Sequence, residues 1–280
     1  MPTLTQKPKK NAAAGKMKSV SSPDAAQRSV LNLRFEPDIP PNDTDRSFPY
    51  SLFIPLHYEP NYAYPLLIWL HPCGENERQL MKIMPQVSLR NYVAAAPQGI
   101  LLDKPVRQSA GERTVSAMLH RQKPHYGWSD AAAAVDETEQ KVFDSITLAK
   151  ERCNIAERRT FLAGSGSGGT AALRLAMMYP ERFAGAASFG GAVPQDIRLS
   201  KLWQTSQPLN VLLGIGLELD AAGQSIEILH TAGAALEIAE FPNVNTLTAE
   251  MLQSLNRWMM NIVVNGTAEN TKPVKLPEYL

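Results

Sequence analysis

The chain of 280 residues has few of the residues on which several classes of protein depend. Its two cysteines, Cys73 and Cys153, are far apart in sequence, so we expect neither a disulfide framework nor a cysteine-rich metal cluster. Its five histidines show no ligand spacing such as His-x-x-x-His, which argues against a metal-dependent enzyme. The formal net charge of +1 provides no electrostatic reason to expect nucleic acid as a partner. We therefore expect no metal, no other cofactor and no nucleic-acid partner.

Long hydrophobic runs are missing as well. No apolar stretch approaches the roughly 18 residues that a transmembrane helix requires. The first residues also lack the apolar core, about 7–15 residues long, of a secretory signal. These two absences predict a protein without a membrane span that resides in the cytoplasm.

The two ends of the chain are poor in large apolar residues. Residues 1–30 are rich in Lys, Ala, Ser and Pro, and five lysines precede the first acidic residue, Asp24. Such a segment buries too little apolar surface to offset the entropy lost on ordering, so we predict a disordered basic tail. Its alternative role is a weak anchor for an anionic surface. Residues 266–280 are predicted to form a second loose tail, which leaves residues 31–265 as one globular domain.

Short apolar runs alternate with longer amphipathic segments through this domain. The segment Pro65–His71 is almost continuously apolar, which is typical of a strand buried on both faces. The segment Asp130–Cys153 has the spacing of an amphipathic helix. A further strand, Thr160–Gly164, and a helix, Thr170–Met178, follow. This alternation predicts an α/β fold with a mostly parallel, doubly wound sheet of about eight strands and helices on both faces.

One segment, residues 105–129, interrupts the alternation. It is basic and ends in the aromatic run Tyr126-Gly127-Trp128. Two interpretations remain open: a solvated loop held down by Trp128, or part of a pocket for an acidic or aromatic ligand.

The most informative segment follows the strand at Thr160–Gly164 and reads Gly164-Ser165-Gly166-Ser167-Gly168. Serine hydrolases carry Gly-x-Ser-x-Gly on a sharp strand-to-helix turn that exposes the nucleophilic hydroxyl. With Gly164 and Gly168 as the flanking glycines, the place of the nucleophile falls on Gly166. The alternative is a shifted turn in which Ser165 or Ser167 is the nucleophile.

Other segments carry the same resemblance. They are Leu66–His71 leading to Gly74, Arg159–Arg174, Tyr179–Gly185, Val211–Gly216, Phe241-Pro242 and Leu255–Met259. On these segments, the chain from about Phe48 to Val264 resembles the α/β-hydrolase superfamily. It is most similar to the esterase branch of carboxylesterase/phospholipase-type and polyhydroxybutyrate-depolymerase-like proteins. The resemblance implies the α/β-hydrolase fold and ester hydrolysis by a Ser-His-Asp triad with a backbone oxyanion hole.

The triad positions that the resemblance implies are substituted in this chain. The nucleophile position is Gly166. The histidine is expected in the loop after the last strand, Leu236–Phe241, where Asn245 stands, and no histidine follows His230. The acid position falls next to Asp220, which can serve as the acid or cap the following helix.

The segments that would form the oxyanion hole match the family better than the triad positions do. Backbone N–H groups of Cys73, Gly74 and Ser167 are expected to form an anion-binding notch, although Pro72 removes one donor. Cys73 is a conceivable replacement nucleophile, but it needs a base or cation nearby, and only His71 is close in sequence.

Two hypotheses of function follow. The first is an esterase-like homologue that has lost its triad and binds a small acyl or carboxylate ligand at the turn, or a protein partner. The alternative is an active carboxylic-ester hydrolase that uses Ser167, with His71 or His125 as its base.

Overall fold

The computed structural model describes residues 35–37, 48–102, 124–194, 202, 207–216 and 220–266. The predicted tail at residues 1–30, nearly all of the tail at 266–280 and much of the segment at 105–129 lie outside these ranges.

The described residues form ten strands and five helices. The strands are β1 Phe35–Pro37, β2 Tyr50–Phe53, β3 Tyr64–Leu70, β4 Val93–Pro97, β5 Ile100–Leu101, β6 Tyr126–Gly127, β7 Ile155–Ser165, β8 Gly185–Phe189, β9 Asn210–Ile215 and β10 Ala235–Glu240. The helices are α1 Leu80–Val87, α2 Ala132–Arg152, α3 Ser167–Met178, α4 Asp220–Thr231 and α5 Ala249–Asn265, and a 3₁₀ turn at Glu77–Gln79 precedes α1.

Eight of the strands form a single sheet in the order β1-β2-β4-β3-β7-β8-β9-β10. Strands β1 and β2 are antiparallel to their neighbours. In this sheet, the strands from β4 through β3, β7, β8 and β9 to β10 all pair in parallel. The predicted α/β fold with a mostly parallel sheet of about eight strands is therefore confirmed.

Helices cover both faces of this sheet. Strand β3 is buried at all seven positions, as its apolar run predicted. Leu66, Ile68 and Leu70 join one core cluster with buried residues of α2 and α3. On the other face, Trp258 of α5 packs edge-on against Phe161 of β7. Among the helices described here, none combines the length and the apolar character needed to cross a membrane.

Two element boundaries differ from the sequence predictions near the turn after β7. Helix α3 begins at Ser167 rather than Thr170, and β7 extends from Ile155 to Ser165. The early helix start follows from close packing. Because Gly168 and Gly169 have no side chains, the first turn of α3 lies directly against the end of β3 and against Ser188 of β8. The turn is therefore a single residue long.

Candidate active site

Gly166 is the only residue between β7 and α3. Its φ of +52° and ψ of −126° lie in a region that L side chains rarely adopt. Its N–H donates to the carbonyl of Phe189 at 2.9 Å, and its carbonyl accepts from Thr170 N at 3.1 Å. These bonds hold Gly166 at the crest of the turn, where the strained nucleophile of a serine-hydrolase elbow belongs.

The flanking glycines, by contrast, are required by packing. A Cβ at Gly168 would overlap the carbonyl oxygen of Leu70 and lie 2.6 Å from that of His71. A Cβ at Gly164 would lie 2.6 Å from the Leu70 oxygen. A Cβ at Gly166 would meet only Pro72 Cβ, at an ordinary 3.7 Å. The two crowded glycines and the open central one support the frame in which Gly166 has the nucleophile position.

The two serines beside Gly166 point elsewhere. Both hydroxyl oxygens, Ser165 Oγ and Ser167 Oγ, are buried, and neither has a hydrogen-bond partner among the described residues. A serine hydroxyl becomes a useful nucleophile only when a neighbouring base removes its proton. The described part of the chain provides no such contact for either serine.

His71 is occupied by structural hydrogen bonds, which argues against the hypothesis that it serves as a base. Its Nδ1 lies 2.9 Å from the carbonyl oxygen of Pro72, so this nitrogen carries the proton. Its Nε2 accepts from the N–H of Gly99 at 2.9 Å. Burial lowers the pKa of His71 below its ordinary value of 6.5 and keeps the ring neutral. With both nitrogens engaged, the ring cannot accept a proton from Ser167.

The other two described histidines relevant to the site lie apart from the serine hydroxyls. His125 is exposed, and its Nδ1 would lie 3.8 Å from a Cβ at Gly74, on the side of the proposed anion notch. His230 is exposed in the last turn of α4, where the sequence predicted a surface residue. Neither histidine forms a hydrogen bond with Ser165 or Ser167.

In the loop after β10, the side chain of Val244 packs against the ends of the neighbouring strands β8 and β9. Val244 Cγ2 would lie 3.1 Å from a Cβ at Gly190, after β8, and 3.4 Å from one at Gly216, after β9. Asn245 is exposed, and its backbone N–H donates to Asn243 Oδ1 at 2.7 Å. The structure thus directs Val244, rather than the predicted Asn245, towards the sheet. Neither side chain can take up a proton near neutral pH.

The structure bears differently on the predicted acid, Asp220, and on the predicted anion-binding notch. Asp220 is the first residue of α4, but its side chain lies outside the described part of the chain, so its role stays a prediction. The N–H of Gly74 donates to the carbonyl of Tyr126 at 2.8 Å, which argues against its use as a notch donor, and its place in the notch stays a prediction. Cys73 and Ser167 also remain predicted donors, and the Cys73 thiol is free and exposed. No cluster of His, Cys, Asp and Glu suited to a metal occurs among the residues described.

A comparison with protein families supplies the relationship that this geometry indicates. The model of the family described as "Putative esterase" matches residues 42–225, well over half of the chain. The chain belongs to this esterase family. A search of curated proteins found no significant match to the sequence.

Solved structures show that this esterase-family chain has the α/β-hydrolase fold. A carboxylesterase from Bacillus cereus is 15% identical, with 78% of this chain and 96% of that chain covered at a TM-score of 0.56. A phospholipase/carboxylesterase from Dyadobacter fermentans is 16% identical, with 76% and 97% covered at 0.54. A ferulic acid esterase from Anaeromyces mucronatus, solved with ferulic acid, is 13% identical, with 81% and 89% covered at 0.54.

A cleft of about 100 Å³ begins beside the elbow of this esterase-family chain. Ser167 and Arg174 of α3 line it, together with Trp128 and Asp130 from the segment before α2. Arg174 Nη2 lies 2.9 Å from Asp130 Oδ1. The sequence analysis did not single out Arg174 or Asp130. The spacing of seven residues between Ser167 and Arg174 could have indicated a shared helix face, but their partner across the cleft could not be read from the sequence.

Proposed function

We propose that this esterase-family chain is a ligand-binding homologue that does not hydrolyse esters. The observation that carries the proposal is the glycine at the crest of the elbow, flanked by two buried serine hydroxyls that have no hydrogen-bond partner within the described part of the chain. Triad members act as a unit, so the loss of the nucleophile removes nearly all of the rate enhancement that the triad supplies.

The loop after β10 supports the proposal independently. Val244 lies against the ends of β8 and β9, and Asn245 is exposed, so neither residue supplies a general base. Restoration of a hydroxyl at Gly166 would therefore still leave it without a base from this loop.

What remains at the elbow suits a small acyl or carboxylate ligand. Ser167 begins α3, and the first N–H groups of a helix attract negative charge. We keep the cytoplasm as the proposed location, since Cys73 is an exposed free thiol, as is usual in a reducing compartment.

Labelling with a fluorophosphonate probe, together with turnover of p-nitrophenyl butyrate, tests this function. We expect no covalent labelling and no turnover above that of the Ser165→Ala/Ser167→Ala double variant. Stoichiometric labelling that disappears in Ser167→Ala but persists in Ser165→Ala would instead establish an active ester hydrolase with a relocated serine.

A further inference from the structure

We infer that the cleft between α3 and Trp128–Asp130 is a binding site for short hydroxy-carboxylic acids, with Arg174 as the anchor of the carboxylate. This inference rests on the proposed function and names its ligand class. The cleft holds about 100 Å³. An engineered cavity of about 150 Å³ holds benzene, so this cleft encloses about four heavy atoms, and a slightly longer molecule extends through its open side.

One face of α3 provides the polar wall of the cleft. Ser167, Thr170, Ala171 and Arg174 follow the i, i+3, i+4, i+7 spacing and all line it. The face therefore begins at the elbow and ends at a cation.

The ion pair in the cleft is unequal in its exposure to water. The side chain of Arg174 is only 9% exposed, whereas that of Asp130 is 71% exposed. A buried guanidinium needs an anion beside it, but an exposed carboxylate loses little when it turns into solvent. A ligand carboxylate can accordingly replace Asp130 on Arg174 and accept the hydrogen bond of its Nη2.

The other end of the cleft has an unpaired hydroxyl. Ser167 Oγ is buried without a partner among the described residues, which is an unfavourable state for a polar atom. Ser167 and Arg174 are about 10 Å apart along the helix axis, and helix side chains lean towards the N-terminus, so the guanidinium spans part of that distance. A ligand with a carboxylate at one end and a hydroxyl two or three carbons away fits the remainder. Trp128, Val135 and Ala171 offer apolar contacts to its carbon chain.

Titration of the full-length protein with sodium 3-hydroxybutyrate, butyrate and inorganic phosphate tests the inference. Binding is followed by calorimetry and by the ¹H–¹⁵N resonance of the Trp128 indole, assigned with Trp128→Phe. We expect both carboxylates to shift this resonance and 3-hydroxybutyrate to bind about three- to tenfold more tightly than butyrate. Phosphate should bind more weakly than 3-hydroxybutyrate, because it has no carbon chain for the apolar lining and cannot reach Ser167 from Arg174. Phosphate binding as tight as that of 3-hydroxybutyrate would overturn the carboxylate assignment.

Matched variants separate the contacts. Arg174→Gln should lower the affinity for both carboxylates more than tenfold, and Arg174→Lys should lower it less. Arg159→Gln, on the exposed part of β7, makes the same charge change and should leave both affinities unchanged. Ser167→Ala should abolish the preference for 3-hydroxybutyrate over butyrate. Asp130→Asn should tighten carboxylate binding about threefold or more, because the anion that competes for Arg174 is gone. If Arg174→Gln does not fold, this variant still tests the inference. Unchanged affinity in Arg174→Gln, or weaker affinity in Asp130→Asn, would overturn the inference.

The two proposals fail in different ways. Labelling of Ser167 by fluorophosphonate would end the proposed function whatever the carboxylates do. Absence of both labelling and carboxylate binding would leave a non-catalytic homologue and remove only the ligand class inferred here.

Discussion

Gly166 combines a positive φ with space for a side chain. A Cβ there would meet Pro72 at 3.7 Å, so backbone conformation rather than crowding explains the glycine. Non-glycine residues in such conformations cost about 1–3 kcal/mol. Serine hydrolases accept this cost to expose a hydroxyl, whereas this chain avoids the cost and has no hydroxyl at that point.

Gly166→Ser should therefore fold, lose about 1–3 kcal/mol in its free energy of unfolding and gain no esterase activity. Gly166→Ala is the matched control, with the same strain and no hydroxyl. Urea denaturation and turnover of p-nitrophenyl butyrate are the measurements. Strong hydrolysis by Gly166→Ser alone would contradict the conclusion that no residue described near the elbow acts as a base.

His71 makes stability depend on pH. Burial lowers its pKa in the folded protein, so below the ordinary value of 6.5 the unfolded chain binds a proton that the folded chain resists. The free energy of unfolding should fall as the pH drops below 6.5, by up to about 1.4 kcal/mol per pH unit. Urea denaturation between pH 7.5 and 5 measures this slope. His71→Gln should flatten it and His230→Gln, at an exposed site, should not; an unchanged slope in His71→Gln would refute this assignment.

The contact of α3 with the ends of β3 and β7 depends on Gly164 and Gly168, which allow the backbones to approach closely. Gly168 lies so near the carbonyls of Leu70 and His71 that no side chain fits between helix and strand. This contact sets where α3 begins and hence where the elbow lies.

Gly168→Ala should cost about 3 kcal/mol or more, because rigid backbone atoms, not flexible side chains, meet the new methyl group. Gly223→Ala provides the comparison within α4, where a Cβ meets nothing within 4 Å. That change should stabilise the protein by about 0.5–1 kcal/mol through helix propensity. Urea denaturation of the two variants tests the contrast, and a Gly168→Ala protein as stable as the parent would disprove the packing argument.

The loop after β10 is the second determinant of the site. Since Val244 faces the ends of β8 and β9 and Asn245 is exposed, a histidine introduced at 244 lies closer to the elbow. Gly166→Ser with Val244→His should show more turnover of p-nitrophenyl butyrate than Gly166→Ser with Asn245→His. The reverse order would restore Asn245 as the base position.

The centre of the sheet is buried, whereas its edge strand β10 is partly exposed. Strand β3 and the second half of β7, residues 160–165, lie in the middle and are buried on both faces, whereas β10 at the edge is only partly covered. Stability is accordingly concentrated in the central strands that position the elbow.

The same substitution at the two places measures this gradient. Leu162→Ala in β7 should cost about 2–5 kcal/mol, since Leu162 is fully buried and leaves a cavity. Leu236→Ala in β10 should cost about 1 kcal/mol, because Leu236 is partly exposed. Thermal denaturation of both variants tests the ranking, and equal losses would refute it.

The order of apolar runs and amphipathic segments was enough to predict the α/β architecture, because burial on two faces makes a strand such as Pro65–His71 almost continuously apolar. The glycine spacing predicted the frame of the elbow, and the crowding of Gly164 and Gly168 against the distant Leu70 supports that frame. The engagement of Gly74 and His71 could not be predicted, since their partners Tyr126 and Gly99 come from distant parts of the chain. The pairing of Arg174 with Asp130 and the inward turn of Val244 were likewise decided only by tertiary structure, because side-chain direction and partners depend on which elements meet in space.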